Sequence, residues 1–175
     1  MATPAPLAQG LTPELKAKLA KLGVPIKAWD PAELNAVLHG HKTLGELAHV
    51  SKEKQLELQA TGVKLLPDGL RDKAKQIFEG LEALDPYDAY VQVCLGTIAM
   101  EDEDPELAEE RFTKAVLLNP SSAPALAYRG ELRLQLGRKA EAIADLTAAL
   151  THDSKANAEV TARARTLLEA AKKSK

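Results

Sequence analysis

The chain repeats itself at a fixed interval. Three ungapped windows of equal length, 55–88, 89–122 and 123–156, align column by column. Window position 8 holds Gly62, Gly96 and Gly130, and position 20 holds Ala74, Ala108 and Ala142. Position 24 holds Phe78, Phe112 and Leu146, and position 27 holds Leu81, Ala115 and Ala149. Position 32 reads Pro86, Pro120 and Ser154. A period of this length marks a supersecondary unit that buries its apolar face by stacking on copies of itself.

Each column has a physical reason. Position 8 falls where two antiparallel helices touch, so a side chain there pushes the backbones apart. Small residues at positions 20 and 27 let the second helix approach its own partner and the next repeat, and a large apolar group at position 24 fills the gap. Proline at position 32 cannot continue a helix and ends the second one. Gly69 and Gly137 at position 15 make the turn inside the repeat. Repeat 2 has Glu101-Asp102-Glu103-Asp104-Pro105 there instead. Asp104 is predicted to cap the following helix, with Pro105 in its first position. The acidic run reads as a solvated helix start that complements the macrodipole, rather than a docking patch for a basic partner.

This spacing is similar to that of the tetratricopeptide (TPR) repeat family over residues 55–156. The predicted fold class is all-α: a short right-handed TPR solenoid of three helix-turn-helix repeats with an N-terminal helical arm and a C-terminal capping helix. The expected organisation is a disordered N-terminus at 1–11, a separate helical arm at 12–50, the repeats within 51–156, and a capping helix with a basic tail at 157–175. In the arm, Thr12-Pro13-Glu14 starts a helix with Leu15, Leu19 and Leu22 on one face. Asp30, Pro31 and Glu33 give a second start signal, with Trp29 placed to staple onto Leu34. Thr43 to Ala48 reads as a short helix, and Ser51 caps the first helix of repeat 1. A last repeat leaves an apolar face uncovered. A helix from about Lys155 to Lys172, capped by Ser154 and striped by Val160, Ala164, Leu167 and Leu168, is expected to cover it.

Composition narrows the function. The 175 residues are 45% hydrophobic, with 23 Lys and Arg against 25 Asp and Glu. That balance opposes nucleic-acid or anionic-membrane binding, which needs a concentrated positive field. Lys172-Lys173-Ser174-Lys175 is a lone basic tail. Met1 to Gly10 does not read as a signal peptide, and Val91 to Met100 is too short and too polar for a membrane span. The single cysteine, Cys94, forms no internal disulfide framework and fits a reducing compartment, so a cytoplasmic protein is expected. Cys94 itself reads as a buried structural thiol. His39-Gly40-His41 and His49 lack a third ligand at diagnostic spacing, so no metal site is assigned. There is no phosphate-cradling Gly-rich loop and no nucleophile elbow. The carboxylates are expected on solvent faces and turns, with no acid/base pair among them. An enzyme and a cofactor are not expected.

The TPR resemblance implies that the first helix of each repeat lines a concave groove through positions 2, 5, 9 and 12. Repeat 1 then offers Leu56, Gln59, Val63 and Leu66, and repeat 2 offers Tyr90, Val93, Thr97 and Met100. Repeat 3 offers Pro124, Ala127, Glu131 and Leu134. This lining is mainly apolar and suits an extended apolar peptide or an amphipathic helix of a client protein. The N-terminal arm or a second copy is the competing occupant. A carboxylate clamp of the kind that grips chaperone tails needs cationic or amide groups where this chain has Gln59, Val63, Cys94, Pro124 and Tyr128, and is rejected.

Thr43-Leu44-Gly45-Glu46-Leu47, Ser51 and the run from Ile77 to Asp88, ending Leu84-Asp85-Pro86-Tyr87-Asp88, resemble the class II chaperones of type III secretion. That resemblance implies an arm, three repeats and a final helix, and a translocator-type client. Helical arms of this kind often dimerise or cover the groove, so a homodimer through the arm is one expectation. It also implies aromatic client pockets in repeat 1, where this chain has Gln59, Val63, Leu66 and Arg71. The alternative reading is a non-secretory TPR scaffold or adaptor in a regulatory or envelope-associated complex.

Overall fold

The computed structural model describes residues 31–152 and 158–173, together with Pro13, Ala17, Ala20 and Lys21. Pro13, Ala17, Ala20 and Lys21 are helical, within the helix expected at 12–22; its leucine stripe, the Trp29–Leu34 staple, and the caps at Asp30 and Ser154 lie outside the described residues. Every regular element among the described residues is helical. They run α1 (Pro31–Leu38), α2 (Leu44–Leu47), α3 (Lys52–Leu65), α4 (Arg71–Leu84), α5 (Ala89–Glu101), α6 (Pro105–Leu118), α7 (Ala123–Gln135), α8 (Lys139–Thr151) and α9 (Ala158–Lys173). Within the described residues, no helix is long and apolar enough to cross a membrane.

The period is visible in the helix starts. α4, α6 and α8 begin at Arg71, Pro105 and Lys139, each at position 17 of its window. α5 and α7 begin at position 1, whereas α3 starts earlier, at Lys52. Ser51 accounts for the early start, because its hydroxyl accepts the Lys54 amide at 3.2 Å, satisfying one of the helix's orphan donors. Thr43 and Glu46 form a complete capping box around α2. The Thr43 amide donates to Glu46 Oε2 at 2.7 Å, and the Glu46 amide donates to Thr43 Oγ1 at 3.1 Å. Asp88 caps α5 through the Tyr90 and Val91 amides, and Ser122 caps α7 through the Ala125 amide.

All three turns inside the repeats adopt one geometry. The amides of Leu70, Asp104 and Arg138 donate to the carbonyls of Leu65, Ala99 and Arg133, the closure that ends a helix on a left-handed residue. That closure puts position 15 in the left-handed region. Gly69 (φ 71°) and Gly137 (φ 75°) occupy it freely, but Glu103 occupies it with φ 59°. Only the glycines escape the Cβ penalty. The helices after the glycine turns, α4 and α8, have no side-chain cap. α6, after Glu103, has both the Asp104 cap on the Leu107 amide (3.0 Å) and Pro105 in its first turn. Repeat 2 therefore offsets a strained turn with a stronger helix start.

The chain divides into two compact units, Met1–Tyr87 and Asp88–Lys175. In the first, α3 packs against α4, and α2 packs against α4 with Leu44 and Leu47 buried. The approach of α2 is close: a Cβ on Gly45 would stand 3.2 Å from the Leu84 carbonyl oxygen. In the second, α5 packs on α6, α6 on α7 and α7 on α8, while α9 covers both α7 and α8. The alanines at position 20 and the Phe78, Phe112 and Leu146 side chains at position 24 are fully buried. On α9, Ala164 and Leu168 are buried and Val160 and Leu167 pack alongside, as the expected stripe requires, with Thr161 and Ala171 buried too.

Candidate functional site

The residues expected to face a client fall into distinct settings. In the first unit, α3 leaves Leu56 61% exposed and Val63 exposed, one above the other at positions 2 and 9. Leu66 is half-buried, and Gln59 is buried between them. Large apolar side chains left in water on one helical face are what a protein partner removes from solvent.

In the second unit the groove positions separate into two cavities. Tyr90 and Val93 of α5 meet Pro124 of α7 around a cavity of about 300 Å³, with Asn119, Ser121 and His152 at its edge. Tyr90 is exposed, whereas Val93 is buried at its floor as part of the core around Phe112. Thr97 and Met100 of α5 meet Glu131 of α7 around a second cavity of about 340 Å³, closed by Tyr128, Gln135, Glu101 and Arg163. Ala127 is buried, and Leu134 packs in the cluster of Leu146 and Leu168 rather than lining either cavity. The C-terminal helix α9 covers that end of the expected groove.

Cys94 is buried beneath Tyr90. Burial pushes its thiol up to about 12, although the hydrogen bond with Tyr90 pulls the other way, as desolvation disfavours the charged form. Burial also pushes the Tyr90 phenol up to about 12. Neither group is ionised at neutral pH, which leaves Cys94 a packing residue.

The carboxylates do not all lie on solvent faces and turns, as expected from sequence. Asp145 of α8 is buried and accepts a bidentate pair from Arg129, Nε at 2.8 Å and Nη2 at 2.7 Å, with Arg133 Nη1 adding a third bond at 2.9 Å. Arg133 Nε reaches Glu109 of α6 at 3.3 Å, and Arg138 at the α7–α8 turn also donates to Glu109. The Arg138 hydrogen bond, aided by Arg133, holds the Glu109 carboxyl below its ordinary range against the opposing effect of burial. This network ties repeat 2 to repeat 3. Sequence reasoning missed it. Arg129 and Asp145 stand at positions 7 and 23, columns that hold Thr61 and Leu95, and Ile77 and Arg111, in the other repeats. Those columns carry polar residues in more than one repeat, so the pattern does not mark them as core.

Glu131 is the other exception. It is 7% exposed and accepts from Arg163 of α9. Elsewhere, the His39 and His41 rings stack 6.4 Å apart, and no set of three metal-capable side chains converges among the described residues.

These helix pairs, with glycine at position 8 under a large residue at position 24, define an all-α protein of the tetratricopeptide-repeat class. Solved structures agree. A type III secretion complex from Aeromonas hydrophila superposes with a TM-score of 0.70 and 28% identity, covering 82% of this chain and 96% of that one. The type III secretion translocator chaperone SycD of Yersinia enterocolitica follows at 0.66 and 23%, covering 73% and 97%. PcrH, in complex with the chaperone binding region of PopD, gives 0.62 and 27%, covering 70% and 94%. No family model and no curated protein sequence matches the chain. The chain has a tetratricopeptide-repeat-like helical fold and resembles the type III secretion translocator chaperones.

Proposed function

We propose that the protein is a non-catalytic, cytoplasmic chaperone of the secretion type, which holds an apolar extended segment or amphipathic helix of a client on the first helices of its repeats. The observation that carries this reading is the pair of exposed apolar side chains at positions 2 and 9 of α3, Leu56 and Val63, on a helix whose opposite face is already packed. In the second unit Tyr90, at position 2 of α5, is likewise exposed. The likeness to PcrH, captured with the chaperone binding region of PopD, supports a peptide-like client.

Co-expression with the proteins encoded beside it should give a soluble complex. Leu56→Glu with Val63→Glu should abolish that complex while leaving the helical circular dichroism and melting temperature close to wild type. A complex that survived both charges would overturn the reading. Val93 is unsuited to this test because it is buried in the core.

The second reading is a non-secretory scaffold. It is favoured by Gln59, Val63 and Leu66 standing where aromatic pockets are implied for the secretion chaperones. Recovery of folded, non-exported partners in place of a translocator-like client would decide for it. We also propose that residues 12–50 carry a homodimer contact. A chain lacking residues 1–50 that still had dimer mass by light scattering would exclude this.

A further inference from the structure

The cavity around Glu131 has a chemistry that an apolar client segment does not use. Glu131 is a buried carboxylate on a helix expected to face the client. A buried charge needs a partner, and the partner comes from outside the repeat: Arg163 of α9, whose side chain is 64% exposed. Among the described residues Glu131 receives this bond at Oε1 alone, and Arg163 makes no other. Most guanidinium donors and one carboxylate oxygen are left with capacity to bond.

The walls are suited to a cation. Glu101 lines the same cavity, and Glu159 is close enough to act on both Arg163 and Tyr128, so two carboxylates, Glu131 and Glu159, act on one guanidinium. Tyr128 presents an aromatic surface held in place by stacking on Phe112, 5.8 Å between centroids and 16° between planes. Its hydroxyl and the Gln135 amide line the same cavity. The cavity of about 340 Å³ thus brings together a stacked aromatic ring, a buried carboxylate and the polar ends of Tyr128 and Gln135. Together they form a receptor for a positively charged side chain. Arg163 demonstrates the fit, because a guanidinium already occupies the carboxylate.

We propose that this cavity receives a basic side chain of the client, arginine before lysine, and that Arg163 is an internal placeholder which the client's cation displaces from Glu131. The proposal rests on the client-binding reading and adds to it the chemistry of one subsite. An exposed side chain on a surface helix holds its ion pair weakly, since ordering it costs entropy and water screens it. The buried Glu131 stays in place and the placeholder exchanges.

The test uses the full chain and three acetylated, amidated tripeptides, Leu-Arg-Leu, Leu-Gln-Leu and Leu-Glu-Leu, titrated by ¹H–¹⁵N NMR and read at Thr97, Tyr128 and Gln135. The arginine peptide should shift these signals saturably and bind at least tenfold tighter than the glutamine peptide. Glu131→Gln should remove that preference, and Arg163→Gln should strengthen arginine-peptide binding several-fold by removing the competitor. Thermal melts establish that each variant is folded. Should Glu131→Gln not fold, the Arg163→Gln result decides alone. Equal responses to all three peptides, a preference for the glutamate peptide, or no gain in Arg163→Gln would each overturn the proposal. If the preference fails while the Leu56/Val63 test still abolishes the client complex, only this subsite falls. If that complex survives the Leu56/Val63 charges, the client reading itself falls.

Discussion

Phe112 lies so close over Gly96 that a Cβ on the glycine would stand 2.6 Å from Cε1 of the ring and 2.7 Å from Cδ1. The same meeting occurs between Gly62 and Phe78 at 2.8 Å, and between Gly130 and Leu146 at 2.8 Å. Position 8 is thus small because the position 24 side chain of its own repeat lies directly on it. Gly96→Ala forces a fully buried ring to shift, and overpacking of this kind costs about 1–3 kcal/mol. Urea denaturation should show that loss in the wild type. In a Phe112→Ala background the ring is gone and Gly96→Ala should be nearly neutral. Additive losses would place the clash elsewhere.

Glu103 offers the opposite substitution. Its backbone is left-handed, which carries a penalty of about 1–2 kcal/mol for a residue with a Cβ. The chain entropy a glycine loses on folding partly balances that penalty. Glu103→Gly should therefore raise stability by up to about 1 kcal/mol. Gly137→Ala should lower stability by about 1 kcal/mol or more, purely through the backbone. Nothing lies within 4 Å of the position that Cβ would take. Thermal unfolding that moves in the same direction for both variants would contradict this account of the turns.

Asp145 neutralises two arginines in a low-exposure setting, with side-chain exposures of 7% for Asp145, 13% for Arg129 and 16% for Arg133. Asp145→Ala leaves the Arg129 guanidinium without its carboxylate, while Arg133 keeps Glu109 and Glu141, and should cost about 3 kcal/mol, more than any exposed ion pair here. Equilibrium unfolding measures it directly. A loss no larger than that of the exposed pair Lys54–Glu57 would show that the network contributes little.

Glu109 makes part of that network pH-dependent. Its folded carboxyl titrates below the ordinary 4.5. Its contribution is therefore complete above that value and is lost as pH falls through the lower folded value. Glu109→Gln should be less stable than wild type at about pH 7, and the two should converge in acid. A stability difference that stayed constant across the whole acid range would assign the effect to packing instead.

Cys94 should react with a thiol reagent in the native protein only as fast as the structure opens, since its thiol is buried and its pKa is pushed up to about 12. Denatured chain should react orders of magnitude faster. Rapid modification of the folded protein at mildly alkaline pH would show that Tyr90 does not shield it.

The repeat was legible because its determinants are local and recur. Glycine, alanine and proline act through sterics at one position, so the columns revealed the helix pairs and the Asp104–Pro105 start; the Ser51 cap was legible in its local sequence, and the Thr43 capping box came only from the structure. Glu103 kept the turn geometry without the turn residue, and only the hydrogen-bond closure around it, Asp104 to Ala99, made that visible. The groove was less legible. Val93 and Ala127 sit at positions expected to face a client but are buried in the unit's own core, and Leu134 is covered by α9.

What the sequence by itself determined is the all-helical repeat, since period, turn chemistry and side-chain volume each act within a few residues of where they are read. The tertiary structure alone decided where the charges went. Arg129, Arg133 and Asp145 meet on adjacent helices, and Arg163 reaches Glu131 across 32 positions of chain. The energy of such pairs depends on burial and on distances of a few ångströms, which no spacing along the chain encodes.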